Sequence, residues 1–119
     1  MFNTEKYVIY KRVSGGHNQK SGLGLDAQSD EINAYLQTRN NYQIVDTFTE
    51  VQSGKDHENR PELMAAMDIA EKTKSTILVS RLCRLSRDLE FVAKLMKNPK
   101  INFKVATHPN ADNFTLAIY

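Results

Sequence analysis

At 119 residues the chain is long enough to bury a real core and too short for a comfortable second globular unit, so it reads as one domain spanning residues 1–119. A composition of 40% hydrophobic and 25% charged residues, with three prolines and five glycines, is that of a folded soluble protein and excludes a disordered tail. Sixteen basic residues against 14 acidic ones leave a formal charge of +2, weak evidence for a polyanionic partner, and no apolar stretch approaches the roughly 20 residues that cross a bilayer.

Residues 1–6 lack the basic start and apolar run of a signal peptide, and the single cysteine, Cys83, has no partner for an internal disulfide, so a cytoplasmic protein is expected. The β-branched and aromatic run 6–13 predicts a first strand that delivers Ser14 to its end, where Gly15 and Gly16 stop it. Residues 15–24 read as a loop. From Asp26 to about Arg39 the residues Ala27, Ile32, Ala34, Tyr35 and Leu36 fall near a helical stripe, with Asp26 able to cap the start and Gln28 in the first turn.

A second strand follows at 43–49, then a polar loop over 50–59. The next helix opens around Arg60-Pro61, since proline is tolerated at a first helical position, and carries Leu63, Met64, Met67, Ile69 and Ala70. Residues 75–80 form a short apolar run suited to a buried central strand, and 84–97 have helical spacing through Leu85, Phe91, Val92, Leu95 and Met96. A fourth strand is predicted at 103–106, and 112–119 read as the first turns of another helix. The apolar end 114–119 suggests packing on a partner chain or continuation into a longer protein.

Strands alternating with helices predict an α/β fold, a three-layer α/β/α domain with a mainly parallel central sheet. In such sheets ligands bind beyond the carboxyl ends of the strands. Ser14 ends the first strand, Glu50 ends the second, and Arg84 and Arg87 follow the third, so these residues converge on one rim.

One serine nucleophile among arginines suits phosphodiester chemistry, because attack on an anionic phosphodiester builds further negative charge that guanidiniums stabilise. Ser14 beside two glycines would by itself be an ordinary turn residue. His17 is the one histidine near it in sequence, so a Ser/His/Asp triad is poorly supported. Segment 81–87 holds three arginines and no acid. At a helix N-terminus such charges oppose the dipole unless an anion binds there. Arg60 has an ordinary explanation in its acidic neighbours Asp56, Glu58 and Glu62. Gln28 is either a surface helix residue or a hydrogen-bond donor that orients Ser14 or a phosphate, and spacing does not separate the two. His17, His57, His108 and Cys83 make no metal-ligand pattern, and the glycines at 22 and 24 lack the Gly-Lys-Ser/Thr ending of a nucleotide phosphate loop. No metal and no small-molecule cofactor are expected. Tyr7, Tyr10, Phe91 and Met96 read as core or interface.

Four ordered segments, Tyr10-Lys11-Arg12-Val13-Ser14, Leu25-Asp26-Ala27-Gln28, Ser53-Gly54 before Arg60-Pro61-Glu62-Leu63, and Leu82-Cys83-Arg84-Leu85-Ser86-Arg87, closely resemble the catalytic domain of serine recombinases, the resolvase/invertase family. The resemblance spans nearly the whole chain. It implies a nucleophilic Ser14 that becomes linked to a DNA 5′-phosphate and leaves a free 3′-hydroxyl, with Arg12, Gln28, Arg60, Arg84 and Arg87 at the family's active-site positions. It also implies double-stranded DNA as substrate and dimers that pair into a tetramer. A bacterial or phage-derived, nucleoid-associated setting follows from the same likeness, as does a DNA-binding region beyond residue 119, without which this stretch recombines nothing unaided.

Three features depart from the family pattern. Cys83 stands where aspartate is frequent, Glu50 where aspartate is common, and the loop between Ser14 and Gln28 is longer than in compact resolvases. Two rival readings follow: a recombinase-like remnant that oligomerises without cutting, and an unrelated α/β anion- or nucleotide-binding domain.

Overall fold

The computed structural model describes residues 4–14, 25–52, 61–81 and 97–107. The predicted helix over 84–97, with Phe91 and Met96, and the terminal segment 112–119 lie outside these. Six elements follow one another: β1 (Glu5–Ser14), α1 (Leu25–Leu36), β2 (Tyr42–Gln52), α2 (Pro61–Thr73), β3 (Thr76–Val79) and β4 (Asn102–Val105). The strands form one sheet in the order β2-β1-β3-β4, and every pairing is parallel.

Alternation along the strands divides the core in two. Val8 and Tyr10 of β1, Ile77 and Val79 of β3, and Phe103 and Val105 of β4 pack with Leu63, Ala66 and Ala70 of α2. On the other face, Tyr7, Ile9 and Leu78 pack with Ile32, Tyr35 and Leu36 of α1. The result is the expected three-layer α/β/α arrangement. The small side chains of Ala66 and Ala70 allow α2 to lie close against the sheet, whereas Met64 points away and is 63% exposed.

Several boundaries differ from the sequence reading. The second strand does not yield to a loop at Glu50; it continues to Gln52, and Glu50 is buried within it. Its polar residues read as loop because β-propensity ignores cross-strand neighbours, and here Arg12 to Ser14 of β1 supply them. The first helix starts at Leu25, so Asp26 is an exposed first-turn acid and not the cap. It ends at Leu36 instead of near Arg39, finishing in tighter turns in which Thr38 N–H bonds Tyr35 O and Arg39 N–H bonds Leu36 O, both at 2.9 Å. Ala34 is exposed, and Gln28 takes its place in the buried stripe with Ile32, Tyr35 and Leu36.

β2 carries a bulge: Tyr7 faces Ile44 while Val8 faces Asp46, leaving Val45 as the extra residue. One extra residue reverses which side chains face which layer. Beyond the bulge Phe48 comes level with Tyr10, and it packs against the core beneath α2. Before it Ile44 pairs with Tyr7 on the α1 face, where it remains 43% exposed, α1 packing chiefly on β1 and β3.

α2 closes through Lys74, whose φ of 55° is left-handed, and Ser75 N–H returns to Ala70 O at 2.9 Å. At the amino end of the sheet, Tyr7 Oη lies 3.0 Å from Glu5 Oε1 and 3.1 Å from Tyr35 Oη, and Arg39 grips both Glu5 oxygens from the far side of α1. The Arg39 hydrogen bond holds the Glu5 carboxyl below its ordinary value despite partial burial, and burial together with Tyr35 and Glu5 pushes the Tyr7 phenol far up.

Candidate active site

Because all four strands run the same way, their carboxyl ends share one rim. From β1 the chain goes first to β2 on one side and later to β3 on the other, so the strand order reverses at β1. In open α/β sheets the crevice at such a reversal is where ligands bind. Ser14 is the last residue of β1, at this crevice, and Ser80 and Arg81 follow β3 beside it.

β1 outruns its neighbour. Its pairing with β3 runs from Tyr7 with Thr76 to Ile9 with Leu78, and β3 ends one residue later at Val79. The β3 ladder thus stops short of Arg12. Gln28 reaches across from α1 to fill that place: Arg12 N–H donates to Gln28 Oε1 at 3.1 Å, and Gln28 Nε2 donates to Arg12 O at 2.9 Å. One carboxamide satisfies a donor and an acceptor on the same residue, as a neighbouring strand would.

Gln28 is only 1% exposed, and both ends of its amide engage backbone. Its role is thereby tied to the shape of the β1 end. Arg12, two residues before Ser14, is half-buried. The sequence left Gln28 open between surface and orienting roles because nothing in spacing shows where β3 stops.

Glu50 lies level with Arg12 across the β1–β2 ladder. Its carboxylate is buried and accepts three hydrogen bonds: Tyr10 Oη at 3.2 Å and Leu63 N–H at 3.1 Å on Oε1, and Glu62 N–H at 3.2 Å on Oε2. It caps α2 from a neighbouring strand, meeting otherwise orphaned amides at the positive end of the helix dipole. The sequence reading placed Glu50 on the rim but missed this contact, which spans 12 to 13 residues.

Ser80 was also missed. It is fully buried, and its hydroxyl is the one buried side-chain polar atom without a hydrogen-bond partner among the described residues. Next to it, Arg81 Nε donates to Glu31 Oε2 at 2.8 Å, so this arginine of the 81–87 segment already pairs with α1. Arg60, Arg84 and Arg87, with His17 and Cys83, lie outside the described residues. Of the six proposed site residues, the structure therefore describes Ser14 as the end of β1 and joins Arg12 to Gln28.

A family model, the resolvase N-terminal domain, matches residues 7–116. No curated protein matches the sequence. Among solved structures, the N-terminal catalytic domain of TP901-1 integrase is similar at 30% identity and a TM-score of 0.71, covering 88% of this chain and 80% of that one. A resolvase family site-specific recombinase from Streptococcus pneumoniae aligns at 24% identity and a TM-score of 0.68, over 97% of this chain and 83% of the other. The C-terminal catalytic domain of ISC1926 TnpA, an IS607-like serine recombinase, aligns at 24% identity and 0.62, over 84% and 68%.

Proposed function

The chain belongs to the resolvase family and is the catalytic domain of a serine site-specific recombinase, and on that premise we propose that Ser14 is the nucleophile that breaks and remakes the DNA strand. This membership removes the unrelated nucleotide-binding rival. DNA is the family's substrate and its members work as oligomers; the finer assembly, a dimer on each crossover site pairing into a tetramer, is part of the proposal, as is action in the cytoplasm on nucleoid DNA with the target sequence read by a separate DNA-binding region.

In the proposed reaction Ser14 Oγ attacks the scissile phosphorus as the bond to O3′ breaks. The serine proton is lost, O3′ takes up a proton, and the strand remains joined to the protein as a 5′-phosphoserine ester. In religation a 3′-hydroxyl attacks the same phosphorus and releases Ser14. The ester retains the energy of the broken bond, so strand exchange by this route consumes no nucleotide. Arg12, Arg60, Arg84 and Arg87 hold and neutralise the phosphate, with Arg84 or Arg87 protonating the leaving oxygen. Gln28 acts one step back, by fixing the Arg12 peptide.

The observation that carries this reading is the placement of Ser14 at the carboxyl end of β1, where the strand order reverses, two residues beyond the Gln28–Arg12 clamp. Trapping tests it. The full-length protein is incubated with genomic DNA of its source organism, denatured and digested with nuclease, and the Ser14 peptide is weighed by mass spectrometry. A nucleotide adduct on Ser14 is expected in the wild type and none in Ser14→Ala, whose thermal unfolding stays unchanged. Adducts persisting in Ser14→Ala would refute the assignment. Loss of one guanidinium, as in Arg12→Ala, removes roughly 3 to 4 kcal/mol of transition-state stabilisation, about 10²- to 10³-fold in adduct rate.

A further inference from the structure

We propose that Arg81 is a further DNA-binding residue, which holds a phosphate beside the scissile one; the inference rests on the recombinase reading above and deepens it. Arg81 follows β3 on the catalytic rim, three residues past Leu78, just as Arg12 is three residues past Ile9. Ile9 and Leu78 are partners in the ladder. The two arginines therefore leave the paired part of β1 and β3 together, one on each side of the crevice. Arg81 also starts from a fixed point, because Ser80 is fully buried and its carbonyl accepts the Thr107 N–H at 3.2 Å.

Arg39 and Arg81 each pair with a glutamate, in different ways. Arg39 turns both Nε and Nη2 onto Glu5, at 2.7 and 2.6 Å, which closes that edge of its guanidinium at the amino end of the sheet. Arg81 gives Glu31 its Nε alone, at 2.8 Å, and neither of its terminal nitrogens meets an acceptor among the described residues. The Arg81 side chain stays 59% exposed, against 25% for Glu31, so the carboxylate lies on the inner side of the pair. What remains outward at the rim is the edge with two parallel N–H groups, the fork that fits two oxygens of one phosphate.

An exposed pair with one hydrogen bond contributes little to stability. Its effect is to aim the guanidinium. Glu31 is one helical turn from Gln28, which fixes the Arg12 peptide, so α1 steadies both sides of the crevice from successive turns. Neighbouring strands lie about 4.8 Å apart, and successive phosphates of one DNA strand rise about 3.4 Å along the duplex axis. A second guanidinium one strand over from Arg12 is therefore on the scale of a neighbouring phosphate. Partial neutralisation by Glu31 suits Arg81 to a phosphate that does not react, because charge develops at the scissile one, where the arginines assigned above act.

The salt dependence of Ser14 adduct formation by the full-length protein, at limiting source genomic DNA, tests the proposal. Each phosphate contact adds about 0.9 to the slope of log rate against log salt. Arg81→Ala should slow the reaction and flatten that slope by about 0.9, so that the wild-type advantage shrinks about 3.5-fold between 50 and 200 mM salt. Arg81→Lys, which keeps the charge, should keep the wild-type slope, and so should Glu31→Ala, which breaks the pair and leaves the guanidinium. Arg81→Gln carries the test should Arg81→Ala fail to fold. An Arg81→Ala slope equal to that of the wild type, with Glu31→Ala reproducing the same slowing, would reduce the pair to a structural tie and overturn the proposal while leaving the recombinase reading intact. A wild type that forms no Ser14 adduct would instead bring down that reading, and this inference with it.

Discussion

Gln28 and Ser80 are both buried polar residues at the same rim, and they predict opposite effects on stability. The Gln28 carboxamide satisfies both polar groups of the Arg12 peptide. Gln28→Ala removes both hydrogen bonds to the part-buried Arg12 peptide, each worth about 0.5–1.5 kcal/mol. A destabilisation of about 1–3 kcal/mol is expected. Ser80 already carries its penalty, since its buried hydroxyl has no hydrogen-bond partner among the described residues. Ser80→Ala removes a group that gains nothing from burial, so the variant should be more stable by about 1 kcal/mol. Urea unfolding of the two variants beside the wild type checks both signs, and a Gln28→Ala protein as stable as the wild type would show that the Arg12 peptide does not depend on this clamp.

Among the elements, β1 is held at its start by a different device from the one at its end. Arg39, just beyond α1, pairs with Glu5 at 2.6 Å, and Glu5 in turn accepts from Tyr7. The pair is part-exposed, so water screens it and its worth is about 0–1 kcal/mol. Its sign with pH is fixed. The Glu5 carboxyl is depressed below its ordinary 4.5 in the folded protein, so its stabilisation is complete above that value and is lost as pH falls through the lower folded value. Glu5→Gln should therefore unfold slightly below the wild-type temperature at pH 7, with the gap closing in acid as pH falls below 4.5 and through the lowered folded value; a gap that stays unchanged in acid would contradict the assignment. The parallel alternation of strand and helix was legible in the sequence because β-branched runs and helical stripes alternate at regular intervals. Three features were not. Val45 in the bulge looks like any strand residue, Glu50 looks like loop because it is charged, and Gln28 looks like surface because its partner is backbone. In each case the deciding neighbour lies on another element, 12 or more residues away, and local pattern carries no trace of it.

For the molecule as a whole, the charge balance and the site make different demands on DNA binding. Sixteen basic residues against 14 acidic ones give no broad positive field, and in the proposed site the arginines gather on one phosphate instead of tracking along a backbone. Of the three in segment 81–87, Arg81 is already paired with Glu31. Counterion release scales with the number of phosphates neutralised, at about 0.9 per phosphate in the log–log slope. A domain that engages one or two phosphates should then show a slope of about −1 to −2 and a dissociation constant no tighter than about 10⁻⁴ M at physiological salt. Fluorescence anisotropy of the 119-residue chain with a labelled duplex, titrated between 50 and 200 mM salt, measures this. A slope steeper than about −4 would mean that the domain carries an extended DNA face of its own. A shallow slope accords with a division of labour in which this domain supplies the chemistry at one phosphate and the grip on the duplex comes from elsewhere, so that cleavage depends on delivery of the scissile phosphate to the rim beside Ser14.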